Sequence, residues 1–403
     1  MKKYTMLKQI CNLIPGHLVN ELARKYGVEG KSRTFSPWSH VVSLLYGHLT
    51  HAIGLNDICD ALRMNKGALV TMRGATPPTR NNFSHANKVR DAAMAEALYW
   101  AMMEHLMEQS EGFRKGKLRR GYLRRFRQTI HAVDSTTIQL VANCMDWAKH
   151  RRRKAAAKCH LRLNLQSFLP ACAIIDTARF HDAGKARDVC AGLADGEIVI
   201  FDKAYVDFTH LGELTERGVA WVTRAKDNLR HKVVKRLRTT DNPRVLADEE
   251  IELEVLKSRE AYAGRLRRVV ALVEVDGDEM ELVFLTNQMT WSGWTVAELY
   301  RCRWEIEVFF KEIKQTLQLA DFLGHNANAV RWQIWMGLLV HLLLRYLAYL
   351  SQWGHSFTRL FTVVRAVLWR YFKLMDLLES YGTAKPPGRI SGCPEQAYLP
   401  GFA

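Results

Sequence analysis

The sequence lacks any C-x-x-C pair. Its eight cysteines, Cys11, Cys59, Cys144, Cys159, Cys172, Cys190, Cys302 and Cys393, are scattered, which excludes a zinc-ribbon ligand set and a disulfide frame. A long apolar run is missing too. The most apolar stretch, Trp335–Leu350, is interrupted by His341 and Arg345 and falls short of the roughly 20 residues that span a bilayer. Met1-Lys2-Lys3-Tyr4-Thr5 leads into a mixed segment and not an apolar leader, so the expectation is a cytoplasmic protein with no membrane partner. There is no internal repeat and no low-complexity tract. Above all, acid is scarce: 41 Asp+Glu against 58 Lys+Arg leave +17 over 403 residues. At 48% hydrophobic and 25% charged the chain is ordinary globular material, so that surplus predicts a polyanionic partner.

The surplus is concentrated. Residues 113 to 162 hold 15 Lys/Arg and only two acids, Asp134 and Asp146. One dense run carries Arg119 and Arg120, and the second carries Arg151, Arg152, Arg153 and Lys154. No glutamate interleaves to form ion pairs, and neither run has the apolar stripe of a membrane-surface helix. Contacts to the phosphates of a nucleic acid are expected here.

Spacing of three to four predicts helices over Leu18–Tyr26, Trp38–His51, Leu55–Leu62 and Asn81–Met107. Leu55–Leu62, a loop ending at Pro77-Pro78, and Thr79-Arg80-Asn81-Asn82-Phe83-Ser84-His85 resemble a helix-turn-helix. Arg80, Asn81 and His85 are side-chain types that read bases. Beyond the basic runs the period changes to strands at Gln128–Leu140, His160–Leu165, Ala171–Asp176 and Ile198–Phe201, with helices over His181–Leu193 and Phe208–Arg217. That alternation predicts an α/β sheet. Residues 227 to 282 form a near-neutral β-rich block of 11 basic and 13 acidic residues, with a hairpin turn at Asp276-Gly277-Asp278. Helix resumes from Val296. The expected domains are a helical 1–112, an α/β core of 113–226 and 296–350, a β-rich insertion of 227–295, and a C-terminal segment of 351–403.

Asp134 follows Thr129-Ile130-His131-Ala132-Val133, and Asp202 follows Ile198-Val199-Ile200-Phe201. A carboxylate at the tip of a buried strand is costly unless paired or metal-bound, and two on neighbouring strands suit a shared divalent cation. Farther on, a helix at about 100° per residue sets Tyr300, Arg303, Glu307, Lys311 and Lys314 on one face. Cys302, Ile306, Phe309 and Ile313 form its buried stripe, and Glu305 and Glu312 fall elsewhere, as surface charges.

Tyr300, Arg303, Glu307 and Lys314, spaced Tyr-x2-Arg-x3-Glu-x6-Lys, resemble the YREK signature of bacterial DDE-type transposases of the insertion-sequence-four family. Asp134-Ser135-Thr136-Thr137-Ile138 and Phe201-Asp202-Lys203-Ala204-Tyr205 resemble its two aspartate motifs, and the likeness runs from about Gln128 to Trp335. It implies an RNase H-like core interrupted by a β-strand insertion, with Asp134, Asp202 and Glu307 holding two Mg²⁺ ions, Mn²⁺ being a substitute. It further implies Tyr300, Arg303 and Lys314 on the phosphates of the element's ends, cleavage and joining to double-stranded target DNA, and a homodimer when two ends are synapsed. Leu282 stands where better-known relatives carry a base-stacking tryptophan; Trp291, Trp294 and Phe284 are the nearby aromatics. A nuclease without strand transfer would use the same carboxylates, and a non-catalytic DNA-binding regulator is the remaining reading. The N-terminal helices and the β-rich block favour the transposase over the nuclease, and the intact carboxylates favour it over the regulator.

Overall fold

The computed structural model describes residues 4–29, 34–116, 122–140, 149–150, 154–177, 182–237, 242–275, 278–316, 324 and 326–382. The helices are α1 Met6–Cys11, α2 Leu18–Lys25, α3 Pro37–Thr50, α4 Leu55–Met64, α5 Lys66–Val70, α6 Arg80–Val89, α7 Ala93–Gln109, α8 Glu111–Lys115, α9 Asp182–Cys190, α10 Phe208–Glu216, α11 Leu256–Ala261, α12 Gly293–Arg301, α13 Glu305–Lys311, α14 Ala327–Leu350, α15 Phe357–Ala366 and α16 Leu374–Gly382. The strands are β1 Ile130–Leu140, β2 Lys149–His150, β3 Lys154–Asn164, β4 Leu169–Thr177, β5 Ile198–Phe201, β6 Ala220–Arg224, β7 His231–Arg236, β8 Val245–Leu253, β9 Leu266–Val275 and β10 Asp278–Thr286. Two compact units result: Met1–Ser110 with Glu312–Ala403, and Glu111–Lys311.

In the helical unit α3 is almost wholly buried, started by Pro37 and by Ser36, whose hydroxyl accepts from the Ser39 N–H at 3.1 Å. It packs with α7 on α14. The single helix expected over 81–107 is two, broken at Arg90–Ala92. There Asn328 satisfies the broken ladder, donating to Arg90 O at 2.6 Å and accepting from Ala92 N–H at 2.9 Å. The helix-turn-helix candidate keeps its outer helices α4 and α6, but its loop contains α5. A second correction concerns Trp335–Leu350. Asn326 caps a helix that starts at Ala327, eight residues before the apolar count began, so α14 runs for 24 residues. By length and hydropathy α14 could cross a membrane, and 78% of its most apolar window is buried inside the protein.

The other unit is built on a ten-stranded sheet ordered β2-β3-β1-β5-β6-β10-β9-β8-β7, with β4 also on β3. β1, β5 and β6 are mutually parallel; the remaining pairs are antiparallel. β5 has every residue buried, as a central parallel strand must. On one side Val133, Val199, Phe201, Trp221 and Leu285 make a core with Val189, Leu211 and Leu214 of the crossover helices. The β-rich block supplies β7–β10, which extend this same sheet, since Phe284, Leu285 and Thr286 pair with Arg224, Thr223 and Val222. β9 and β10 form the expected hairpin, with Val275 opposite Asp278.

Candidate active site

Register puts the first two carboxylates together. Val133 pairs with Phe201, and Phe201 with Thr223, so the residues that follow them, Asp134, Asp202 and Arg224, lie level with one another. Level residues on adjacent strands project to the same face. Asp134 is not at a strand tip as expected: β1 continues to Leu140, and only its pairing with β5 stops at Val133. Its partner there is Leu161 of β3. Asp202 is at a tip, where β5 gives way to the 3₁₀ turn Lys203–Tyr205.

The third carboxylate comes from two short helices. Ser292 caps α12, its hydroxyl accepting from Thr295 N–H at 3.1 Å, and α12 ends in the 3₁₀ turn Cys302–Trp304 before α13 begins. Tyr300, buried against the ring of Phe284 at 5.1 Å, donates its hydroxyl to Asp202 Oδ1 at 3.3 Å. Arg303 Nη1 donates to Asp134 Oδ2 at 2.8 Å, and Nη2 to Glu307 Oε1 at 2.9 Å. Arg303 therefore bridges the first and third carboxylates. Tyr300, Arg303 and Glu307 meet the two aspartates at one place.

The uninterrupted wheel was too simple. After α13 the chain widens into a π-helical turn, Glu312–Thr316, and Glu312 is no surface charge. Only 13% of its side chain is exposed; it accepts from His341 Nε2 at 2.9 Å and pairs with Arg345.

Charge at the site is unbalanced. Burial pushes the Asp134 carboxyl up to about 6; Arg303 and the Ser135 N–H oppose this, and Asp202 and Glu307 add to it. Burial likewise drives the Tyr300 phenol up to about 12. Among the described residues no three His, Cys, Asp or Glu side chains stand close enough to hold a metal ion, because Arg303 lies between Asp134 and Glu307. The donor set nonetheless fits a hard divalent cation: three carboxylates near one guanidinium, with Asp134 largely buried and Glu307 open to solvent.

Arg224 was missed. It forms no ion pair among the described residues, it lies opposite Phe284 in the ladder, and its charge acts on the Tyr300 phenol. The signal was available as an Arg directly after the apolar run Val219–Thr223. Lys311 is exposed at the end of α13, and Lys314 is in the π-helical turn of the helical unit. Arg119, Arg120, Arg151, Arg152 and Arg153 fall outside the described residues, and Lys154 opens β3. In the helical unit Thr79 caps α6, which buries Phe83 and Ala86 and exposes Arg80, Asn81 and His85. Of the aromatics, Phe284 is fully buried beneath Tyr300 and has no face free for a base, whereas Trp291 and Trp294 are half-exposed.

Residues 125–343 match the family model described as transposase DDE domain, and residues 2–72 match a domain of unknown function. A Sinorhizobium fredii protein named as transposase y4zB is 34% identical over 245 residues, 60% of this chain and 67% of that one. A Geobacillus stearothermophilus protein, named as the transposase of insertion sequence element IS5377, is 29% identical over 55% of this chain and 58% of its own. Transposase InsG of insertion sequence element IS4 in Escherichia coli is 23% identical over 46% of this chain and 42% of its own.

Proposed function

Because the chain belongs to the DDE-domain transposases of bacterial insertion sequences, we propose that it binds the inverted-repeat ends of its own element, cleaves them, and joins the 3′-hydroxyls to target DNA. The observation that carries this reading is the level placement of Asp134 and Asp202 on adjacent parallel strands, with Glu307 linked to Asp134 through Arg303. The order β4-β3-β1-β5-β6, three antiparallel strands beside two parallel ones, supports an RNase H-like core with β7–β10 as its insertion.

Asp134, Asp202 and Glu307 would hold two divalent cations, Mg²⁺ or Mn²⁺. When bound, such ions supply Lewis-acid charge at the attacking and leaving oxygens of an in-line displacement at phosphorus. The chain's own groups then position the substrate. Tyr300, held neutral by burial, donates a hydrogen bond at the edge of the site, and Arg303, whose two prongs hold Asp134 and Glu307, adds positive charge beside the phosphate. Arg224 extends that cationic wall across β6. The exposed polar residues of α6 and the basic segment 113–162 supply duplex contacts outside the site, base-directed for Arg80, Asn81 and His85 and phosphate-directed for Arg119, Arg120 and Arg151–Lys154. Two ends cut in concert would require a dimer.

The test is a set of single Asn or Gln replacements at Asp134, Asp202 and Glu307, with strand cleavage measured on pre-bound ends. Each should lose cleavage while retaining end binding. Near-native cutting by any one would remove that residue from the site.

A further inference from the structure

By composition the β-rich block is neutral, yet the sheet separates its charges. Strand β8 carries Asp248, Glu249, Glu250 and Glu252, and all four are taken by arginines on the β9 side. Arg267 holds Asp248 at 2.6 Å, Arg268 holds Glu249 at 2.8 Å, and Arg265 reaches Glu250 at 2.9 Å and Glu252 at 3.4 Å. On the other side of β8 lies β7, an edge strand of the sheet among the described residues. From Arg230 to Arg236 it has four Lys/Arg and no acid. Among the described residues none of Arg230, Lys232, Lys235 and Arg236 forms an ion pair, and all four are exposed.

A register shift sharpens the arrangement. Val233 faces Ile251 and Lys235 faces Glu250, so Val234 is bulged out. In a regular strand Lys232 and Lys235 would point to opposite faces; one extra residue between them puts both on the same face. The bulge thus makes a row of Arg230, Lys232 and Lys235. β7 is six strand steps from β1, roughly 29 Å across an untwisted sheet, so this row is separate from the wall at Tyr300, Arg303 and Arg224.

We propose that the β7 edge is a second DNA contact, in which Arg230, Lys232 and Lys235, in one row on one face, grip the phosphate backbone of a duplex without reading its sequence. Charge complementarity selects this occupant. Lysines on an edge strand also discourage pairing with another strand, but that role needs no arginines and no internal neutralisation of every glutamate on β8. The proposal rests on the transposase reading, which supplies the duplex.

The experiment compares the full chain with an R230Q/K232Q/K235Q variant, measuring binding to a duplex of unrelated sequence across a salt series. The three side chains are exposed, so the variant should melt as the wild type does. Its log affinity should fall less steeply with log salt, by about 2 to 3 in slope, since each phosphate contact contributes about 0.9. An equal slope in wild type and variant overturns the β7 assignment alone. A wild-type chain that binds no duplex overturns the transposase reading beneath it. If the variant instead changes the oligomeric state with DNA binding unmoved, β7 is a strand-pairing edge for a second copy, and the proposal fails.

Discussion

Arg303 and Asp134 stand 2.8 Å apart, guanidinium to carboxylate, and the same guanidinium reaches Glu307 at 2.9 Å. Arg303 therefore occupies, in charge, the place a divalent cation would take between those two carboxylates. Replacing it with Gln should destabilise the metal-free protein, because the repelling carboxylates lose their neutralising partner, by about 1–3 kcal/mol. Added Mn²⁺ should then raise the melting temperature of the variant more than that of the wild type. A smaller Mn²⁺ effect in the variant would show that Arg303 does not compete for that place.

Glu307 and Glu312 should separate cleanly. Glu307 is exposed and lies at the site, so Glu307→Gln should abolish cleavage and shift stability by no more than about 0.5 kcal/mol. Glu312 pairs with His341 and Arg345 inside the helical unit. Burial pulls its carboxyl upward, but those two partners outweigh the effect and hold it below its ordinary range. Glu312→Gln should therefore lower the melting temperature by several degrees, a cost of about 1–3 kcal/mol. Equal melting of the two variants would contradict the placement of Glu312.

Much of this was legible in the chain. Asp134, Asp202 and Glu307 could be picked out because strands and helix faces have fixed periods. Two things were not legible. Glu312 looked like a surface charge because a wheel assumes one unbroken helix, and neither the 3₁₀ turn at Cys302–Trp304 nor the π-helical turn at Glu312–Thr316 has a periodic signature. Arg224 lay hidden because its relation to Asp134 and Asp202 exists only in strand register, across 90 residues of chain.

That register gives a prediction for Arg224. Among the described residues its side chain forms no ion pair, and it lies level with both aspartates, so Arg224→Gln should leave the fold intact. Cleavage of pre-bound ends should fall about tenfold or more, the loss of one charged hydrogen bond to phosphate at about 1.5–3 kcal/mol. Single-turnover cleavage at wild-type rate would place Arg224 outside the substrate's reach.

Behind the site, Arg267 and Asp248 form a buried two-pronged pair, and Arg267 Nη1 also donates to Gln288 O at 3.1 Å and Trp291 O at 2.5 Å. Those carbonyls belong to the turn that launches α12, the helix of Tyr300. Arg267→Met should destabilise by about 3–5 kcal/mol, since it strands a buried carboxylate. Joint replacement, Arg267→Met with Asp248→Leu, should recover most of that stability, read as urea midpoints. No recovery would mean that the carbonyl contacts, and not the ion pair, carry the cost.

The helical unit should be acid-sensitive for a reason distinct from its glutamates. Burial lowers His40 to about 3, with the Arg90 charge adding to it and the Asn87 hydrogen bond opposing. Burial lowers His48 to about 4 against a hydrogen bond with the Gln333 backbone, and lowers His341 despite Glu312. A histidine whose folded value lies below its unfolded one, near 6.5, binds fewer protons when folded. Its contribution is therefore complete above about pH 6.5 and is lost as pH falls toward its folded value. Between pH 6 and 5 the His40 and His48 rings should each remove on the order of 1 kcal/mol, so amide exchange in α3 should quicken over that range. His48→Gln keeps a donor for the Gln333 carbonyl but removes one titrating ring, and should flatten the slope by about 1.4 kcal/mol per pH unit. Exchange rates in α3 that, corrected for intrinsic pH dependence, stay constant from pH 7 to 5 would show these rings to be solvated and not buried.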